Sequence, residues 1–332
     1  MRIKYVVKGL SLFLILLSWL SNLAFSLTWN CEINHPTPTL NFGNQTSFTI
    51  GTKLLSVNSS SAGLLCDLPK LSFIVKHEIN VTGMFTSGAQ PALVKSGGDP
   101  ADRVFYKLYV DKDKNADVEV RHGVEVDLNK SSSIISGKED VIVPAYADIL
   151  PQSVNLSAGV YTDTVLMKWS WRLCTAGILS CIGWKKGEGE STITINLIVT
   201  EDCKISASDI NFGSAPVTAA FSDVEGTINI ICTKGTFYSA GLSKGDNFSG
   251  SRRMKSGSNF IDYEIYKGNQ AHEVWGNQGS ERRDSASADE NPGAGWGGTK
   301  AQRFNYRAKI LPNQPNKPAG TYIDHIMIDV EF

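Results

Sequence analysis

ADILPQSVNLSAGVYTD, residues 147–163, is written again as AKILPNQPNKPAGTYID at residues 308–324. Ala, Ile, Leu, Pro, Asn, Ala, Gly, Tyr and Asp recur in register without a gap, which implies two related halves. The chain continues differently after each copy. The first leads into an alternating run, a loop, and a second run in which Ile193, Ile195, Leu197 and Val199 alternate with Thr192, Thr194, Asn196 and Ile198. After the second, one run remains, in which Ile326, Ile328, Val330 and Phe332 alternate with Met327, Asp329 and Glu331. Period-two alternation of this kind marks a strand with one face in a core. The second half is therefore expected to lack the strand that closes the first.

Similar runs recur throughout, at residues 71–79, 104–110, 165–173, 227–231 and 260–266, separated by Gly, Asn, Asp and Ser clusters, with no long helical period. The expected fold is all-β, as two related Ig-like or pilin-type β-sandwiches, the C-terminal one incomplete. Residues 27–199 would form the first and residues 200–332 the second, joined by a very short link. An open groove exposes apolar side chains and unpaired strand edges, and the physical remedy is a strand donated by another chain.

Residues 1–26 read as an export signal. Arg2, Lys4 and Lys8 precede an apolar stretch at residues 10–20, and Ala24-Phe25-Ser26 offers a small-residue cleavage site. No later stretch is long enough to span a bilayer. The net charge of −1 gives no electrostatic argument for nucleic acid. Six cysteines in an exported chain read as disulfides. The repeat suggests their pairing. Cys31 precedes Leu40-Asn41-Phe42-Gly43 as Cys203 precedes Ile210-Asn211-Phe212-Gly213, and Cys66 and Cys232 each follow an apolar pair. The expected bridges are Cys31–Cys66, Cys203–Cys232 and a local Cys174–Cys181.

Several weaker patterns fail on inspection. Residues 111–117 begin like a calcium loop but place Ala116 and His122 where that loop needs Gly and a bidentate Glu. The five histidines have no paired metal spacing, and there is no metalloprotease, nucleophile-elbow or phosphate-loop motif. Neither a cofactor nor a metal nor an enzymatic activity is expected. Arg252-Arg253 and Arg282-Arg283 read as solvated surface charge.

Cys203, Phe212-Gly213, Cys232-Thr233, Arg253-Met254, Tyr263-Glu264-Ile265-Tyr266, Val274-Trp275-Gly276 and residues 319–324 together make the second half similar to the spore coat protein U-like domain, over its whole length. That family includes subunits of archaic, Csu-type chaperone–usher pili, so the resemblance implies donor-strand assembly. A periplasmic chaperone, an outer-membrane usher and an adjacent strand-donating subunit would be the partners. Ile326, Ile328, Val330 and Phe332 would meet the chaperone or donor strand. Only residues 27–30 precede Cys31, too few to donate a strand, so the expected place is the pilus tip on the cell surface. Two-domain tip adhesins of these pili have this layout, with an N-terminal binding domain.

Two apolar segments of the first half are candidates for that binding. GMFTSGAQPALVKSGG, residues 83–98, carries Met84, Phe85, Ala92, Leu93 and Val94. LCTAGILSCIGW, residues 173–184, carries Ala176, Gly177, Ile178, Leu179, Ile182 and Trp184 within or beside the expected Cys174–Cys181 turn. Exposed at one distal pole, they would attach cells to an abiotic or host surface and support biofilm formation. The alternatives are burial of these residues in a coat or matrix component without a receptor, and a carbohydrate-binding module stacking sugars on Trp169, Trp171 or Trp184.

Overall fold

The computed structural model describes residues 30–59, 62–67, 77–153, 155–176, 181, 183–268, 272–291 and 300–332, apart from residues 131–139. The export signal lies outside these residues, as does most of the run at residues 71–79. The first half opens with β1 (Asn30–Ile33), β2 (Thr39–Thr46), a short helix α1 (Ser47–Thr52), β3 (Leu55–Ser59) and β4 (Leu64–Asp67). It continues through β5 (Glu78–Phe85), β6 (Ala92–Lys95), β7 (Arg103–Phe105), β8 (Lys107–Tyr109) and β9 (Glu119–Val120). Next come β10 (Glu125–Asp127), β11 (Asp140–Ile142) and β12 (Ala145–Ile149). Two strands of 18 residues each, β13 (Gly159–Ala176) and β14 (Gly183–Thr200), then pair as one long hairpin.

In the largest sheet the order is β10-β5-β13-β14-β2, with β14 antiparallel to β13 and parallel to β2. A second sheet runs β3-β12-β8-β9 and a third β1-β4-β11. Their inward side chains form one core that includes Leu40, Val81, Leu108, Ile149 and Trp169. On β14 the inward set Ile193, Ile195, Leu197 and Val199 is buried, while Thr192, Thr194 and Asn196 face the other side. This strand closes the first core.

The second half repeats the plan. It comprises β15 (Cys203–Ser206), β16 (Val224–Cys232), β17 (Ser239–Leu242), β18 (Arg252–Ser256), β19 (Asn259–Lys267), β20 (Arg283–Asp284), β21 (Gln302–Ile310) and β22 (Ile328–Glu331). One sheet runs β15-β16-β21-β19-β18 and the other β20-β17-β22, around a separate core with Ile230, Tyr263, Trp275 and Phe304. β22 lies against β17 as β13 lies against β5. Lys255 bridges Ile323 as Val94 pairs with Thr162. The chain is all-β and built twice.

Covalent and polar details repeat as well. Cys31–Cys66 and Cys203–Cys232 each join residues facing one another across an antiparallel ladder, both with Cα atoms 4.0 Å apart. Cys174–Cys181 ties the far end of the long hairpin. The Asp that ends each copy of the repeat accepts a tyrosine hydroxyl at 2.8 Å, Tyr106 on Asp163 and Tyr263 on Asp324. Burial, and then the neighbouring carboxylate, push both phenols well above the usual tyrosine range. Asn41 Oδ1 and Asn211 Oδ1 each accept the N–H of a left-handed glycine at 2.8 Å, Gly43 and Gly213. Residues 209–213 are thus the counterpart of the start of β2.

Candidate functional site: an open groove and a distal hairpin

In the first half β14 sits between β13 and β2. In the second half, among the described residues, no strand lies between the counterparts of β13 and β2. A cleft of about 490 Å³ lies there instead. Ile210 and Phe212 line one wall, Tyr322, Asp324, Ile326 and Ile328 the other, and Ile228, Leu242, Ile265 and Tyr306 are among the remaining lining residues. Residues 207–213 carry no sheet ladder and are mostly exposed, with only Ile210 and Phe212 turned partly inward. The run at residues 323–332, read as one strand, forms a ladder only over Ile328–Glu331. Among the described residues, only one edge of β22 carries a ladder.

Polar contacts hold this open wall in place. Asp324 accepts the Asp246 N–H at 2.9 Å as well as the Tyr263 hydroxyl. Arg282 donates to Asp329 Oδ2 at 2.7 Å and to the Ser239 carbonyl at 2.9 Å, tying β22 to β17. Of the four residues expected to meet a donor strand, Ile326 and Ile328 line the cleft. Val330 is half-buried against the core, and Phe332 is 62% exposed at the end of the strand.

The apolar segments of the first half fall out differently from the sequence reading. Phe85, Ala92 and Leu93 are buried, so they are not surface fingers. The reason is alternation: Ile79, Val81, Gly83 and Phe85 form the inward face of β5, and Leu93 enters the core from β6, with Ala92 beside it also covered. Met84 and Val94 point outward and are about one-third exposed. Nor do the two segments share a pole. Phe85 pairs with Val165 and Trp184 with Cys174, nine residues further along β13, or about 30 Å at the rise of a strand.

The distal segment is the end of the long hairpin. The side chain of Ala176 and all of Gly177, Ile178, Leu179 and Ile182 lie outside the described residues. Trp184 is 37% exposed, with the Arg172 guanidinium stacked 4.4 Å from its ring centre. Arg172 also pairs with Glu78 at 3.0 Å. Trp169 and Trp171 are buried, Trp169 donating to Ser191 Oγ at 3.0 Å, so neither offers a face for a sugar ring. At the base, the Cys174 N–H donates to His77 Nδ1 at 3.1 Å. Burial holds the His77 imidazole below its usual range, in the neutral form that this bond requires.

Trp171 stiffens the hairpin by lying across Gly187, where a Cβ would come within 2.4 Å of the ring. Gly187→Val is expected to displace the indole and destabilise the first half by about 1–3 kcal/mol, read as a lowered denaturation midpoint. An unchanged midpoint would show that the indole has room to move.

The sequence profile of the Spore Coat Protein U domain matches residues 19–168 and again residues 190–329. This chain belongs to the Spore Coat Protein U domain family. No curated protein matches it. Among solved structures, it resembles a chain in the CsuC-CsuE chaperone-tip adhesion subunit pre-assembly complex from archaic chaperone-usher Csu pili of Acinetobacter baumannii. The TM-score is 0.60 with 22% identity, covering 91% of this chain and 100% of that one. The CupB6 tip adhesin from Pseudomonas aeruginosa aligns over 91% of this chain and 94% of its own, with 13% identity and a TM-score of 0.30. At these identities the first likeness shows the shared fold.

Within this family member, sequence reasoning missed the buried arginines. Arg252, Arg282 and Arg283 are all buried, not solvated charge. Arg283 pairs with Asp289 at 3.0 Å and stacks on Trp275 and Phe304. Many of their partners are backbone carbonyls, which no side-chain pattern announces.

Proposed function

We propose that this protein is a non-enzymatic adhesin at the tip of a chaperone–usher pilus. Residues 200–332 accept a strand from another chain, first a periplasmic chaperone and then the adjacent subunit delivered through the outer-membrane usher. Residues 27–199 carry the binding end. The observation behind this reading is the cleft between residues 209–213 and residues 322–328, where the first half holds β14. A strand entering there gains main-chain hydrogen bonds on both sides and buries alternate side chains. The likeness to a chain in a pre-assembly complex of a chaperone with a tip adhesion subunit supports a chaperone as a partner here.

For binding, the distal end of the β13–β14 hairpin is the better candidate, because Phe85, Ala92 and Leu93 are buried. The apolar residues of the disulfide-tied turn would bury against an apolar abiotic or host surface, each contributing about 1.5–3 kcal/mol. Many tips per cell multiply that by avidity and so promote attachment and biofilm formation.

Replacing Ile178, Leu179 and Ile182 together by Ser is expected to reduce attachment to a hydrophobic surface at least ~10-fold, since one buried apolar side chain already amounts to that factor. Export and assembly should be unaffected. Cells carrying the triple variant that attach normally would rule out the hairpin as the contact. Attachment competed by a soluble sugar would point to a carbohydrate receptor instead.

A further inference from the structure

The two halves are joined by residues 201 and 202 alone, since β14 ends at Thr200 and β15 begins at Cys203. A short link by itself leaves rotation free, and modest contacts between domains usually permit relative motion. Here the link is captured. Thr233 is fully buried; its N–H donates to the Asp202 carbonyl at 2.9 Å and its hydroxyl accepts the Asp202 N–H at 3.1 Å. The same hydroxyl lies 3.3 Å from the Thr200 carbonyl. Cys232, bonded to Cys203, fixes the base from which Thr233 reaches.

The next residue docks on the first half. The Lys234 N–H donates to the Leu156 carbonyl at 3.1 Å. Its ammonium lies 2.7 Å from Asp99 Oδ2 and 2.8 Å from Asp102 Oδ1. Asp102 is 1% exposed, and its other oxygen accepts the Ser157 N–H at 3.2 Å and the Ser157 hydroxyl at 2.5 Å. Burial works against the Asp102 carboxylate, but Lys234 and Ser157 outweigh it and hold the carboxyl below its usual range. On the far side of the link, the Lys204 ammonium sits 4.4 Å from the centre of the Phe48 ring.

We propose that Thr233 and Lys234 form a fixed joint that holds the two sandwiches in one orientation, so that the distal hairpin is aimed by the C-terminal half. Opening the joint would part the Asp102 carboxylate from its counter-charge, and that cost keeps it shut. Load applied at the hairpin then reaches the strand-accepting groove without passing through a hinge. The joint does not depend on what fills the groove.

The test is the distance between one spin label on each half of the whole chain, measured by double electron–electron resonance. The wild type should give a single narrow distribution, Lys234→Met a broad one, and Lys234→Arg a narrow one again. Protease cleavage at residues 201–202 should rise about 100-fold or more in Lys234→Met, the change in open population that stranding a buried charge implies. A broad wild-type distribution overturns the joint, and so does a Lys234→Met chain as narrow as the wild type. If Lys234→Met does not fold, Thr233→Val releases the link while leaving both charges in place. Broadening there supports the joint, and an unchanged distribution overturns it.

Discussion

Appending a short turn and a copy of residues 187–200 after Phe332 is expected to raise the melting temperature of the C-terminal half by at least ~10 °C. The register comes from the first half, where Ile193 faces Val165, Ile195 faces Asp163 and Leu197 faces Tyr161. The repeat carries these positions to Ile326, Asp324 and Tyr322, all of which line the cleft. The added strand would bury three or four aliphatic side chains, a gross gain of roughly 5–12 kcal/mol, against the entropy of ordering about fourteen residues. Backbone hydrogen bonds to both neighbours offset much of that ordering cost. Two controls isolate the cause. A copy with Asp at the positions of Ile195 and Leu197 should give no gain. A copy moved by one residue should also fail, because a slip of one turns every apolar side chain to the wrong face. Calorimetry that finds no upward shift with the in-register copy would mean that the cleft is not a strand site, and the pilus reading would lose its support.

How much of the fold and the groove is legible in the sequence depends on the range of each signal. The open groove is foreshadowed because the repeat supplies an internal reference: Ile193, Ile195, Leu197 and Val199 follow one copy, whereas the described residues after the other form only β22. The register of the groove comes from the same alignment. The segment at residues 83–98 misleads because its Gly, Ser and Pro content reads as loop, although the alternation from Ile79 runs unbroken to Phe85. Gly83 is an inward position of that strand, filled by the Val120 side chain, which would come within 2.4 Å of a Cβ. The pole of each segment depends on where it meets β13, which no local pattern states. The short link is evident in the sequence, but its capture depends on contacts 31 to 135 positions apart, from Thr233 on Asp202 to Lys234 on Asp99.

Arg252→Ala should have the largest effect of any single substitution in the C-terminal half, about 3–5 kcal/mol, because it strands a buried partner. Arg252 is 2% exposed and pairs with Glu264. Its remaining donors reach the Leu242 and Trp275 carbonyls at 2.9 and 2.8 Å and the Ser243 carbonyl at 2.9 Å. Alanine would leave the buried Glu264 carboxylate without its counter-charge and take a donor from three carbonyls, each lost bond adding to the cost. Arg252→Lys keeps the charge but not the planar fork, so it should recover only part of the loss. Adding Glu264→Gln to Arg252→Ala removes the stranded charge and should return part of the stability, while the bonds lost at the carbonyls keep it below the wild type. Chemical denaturation of the whole chain should show this as an early transition of the C-terminal half, with the N-terminal transition unmoved. A loss below ~1 kcal/mol would mean that water replaces the guanidinium. The consequence for assembly comes from position. Leu242 lines the cleft, and Ser243 Oγ accepts the Met327 N–H at 2.9 Å on its C-terminal wall. Releasing these residues would deform the groove before any strand arrives, so the Arg252→Ala chain should also bind the copy of residues 187–200, added as a free peptide, more weakly than the wild type does.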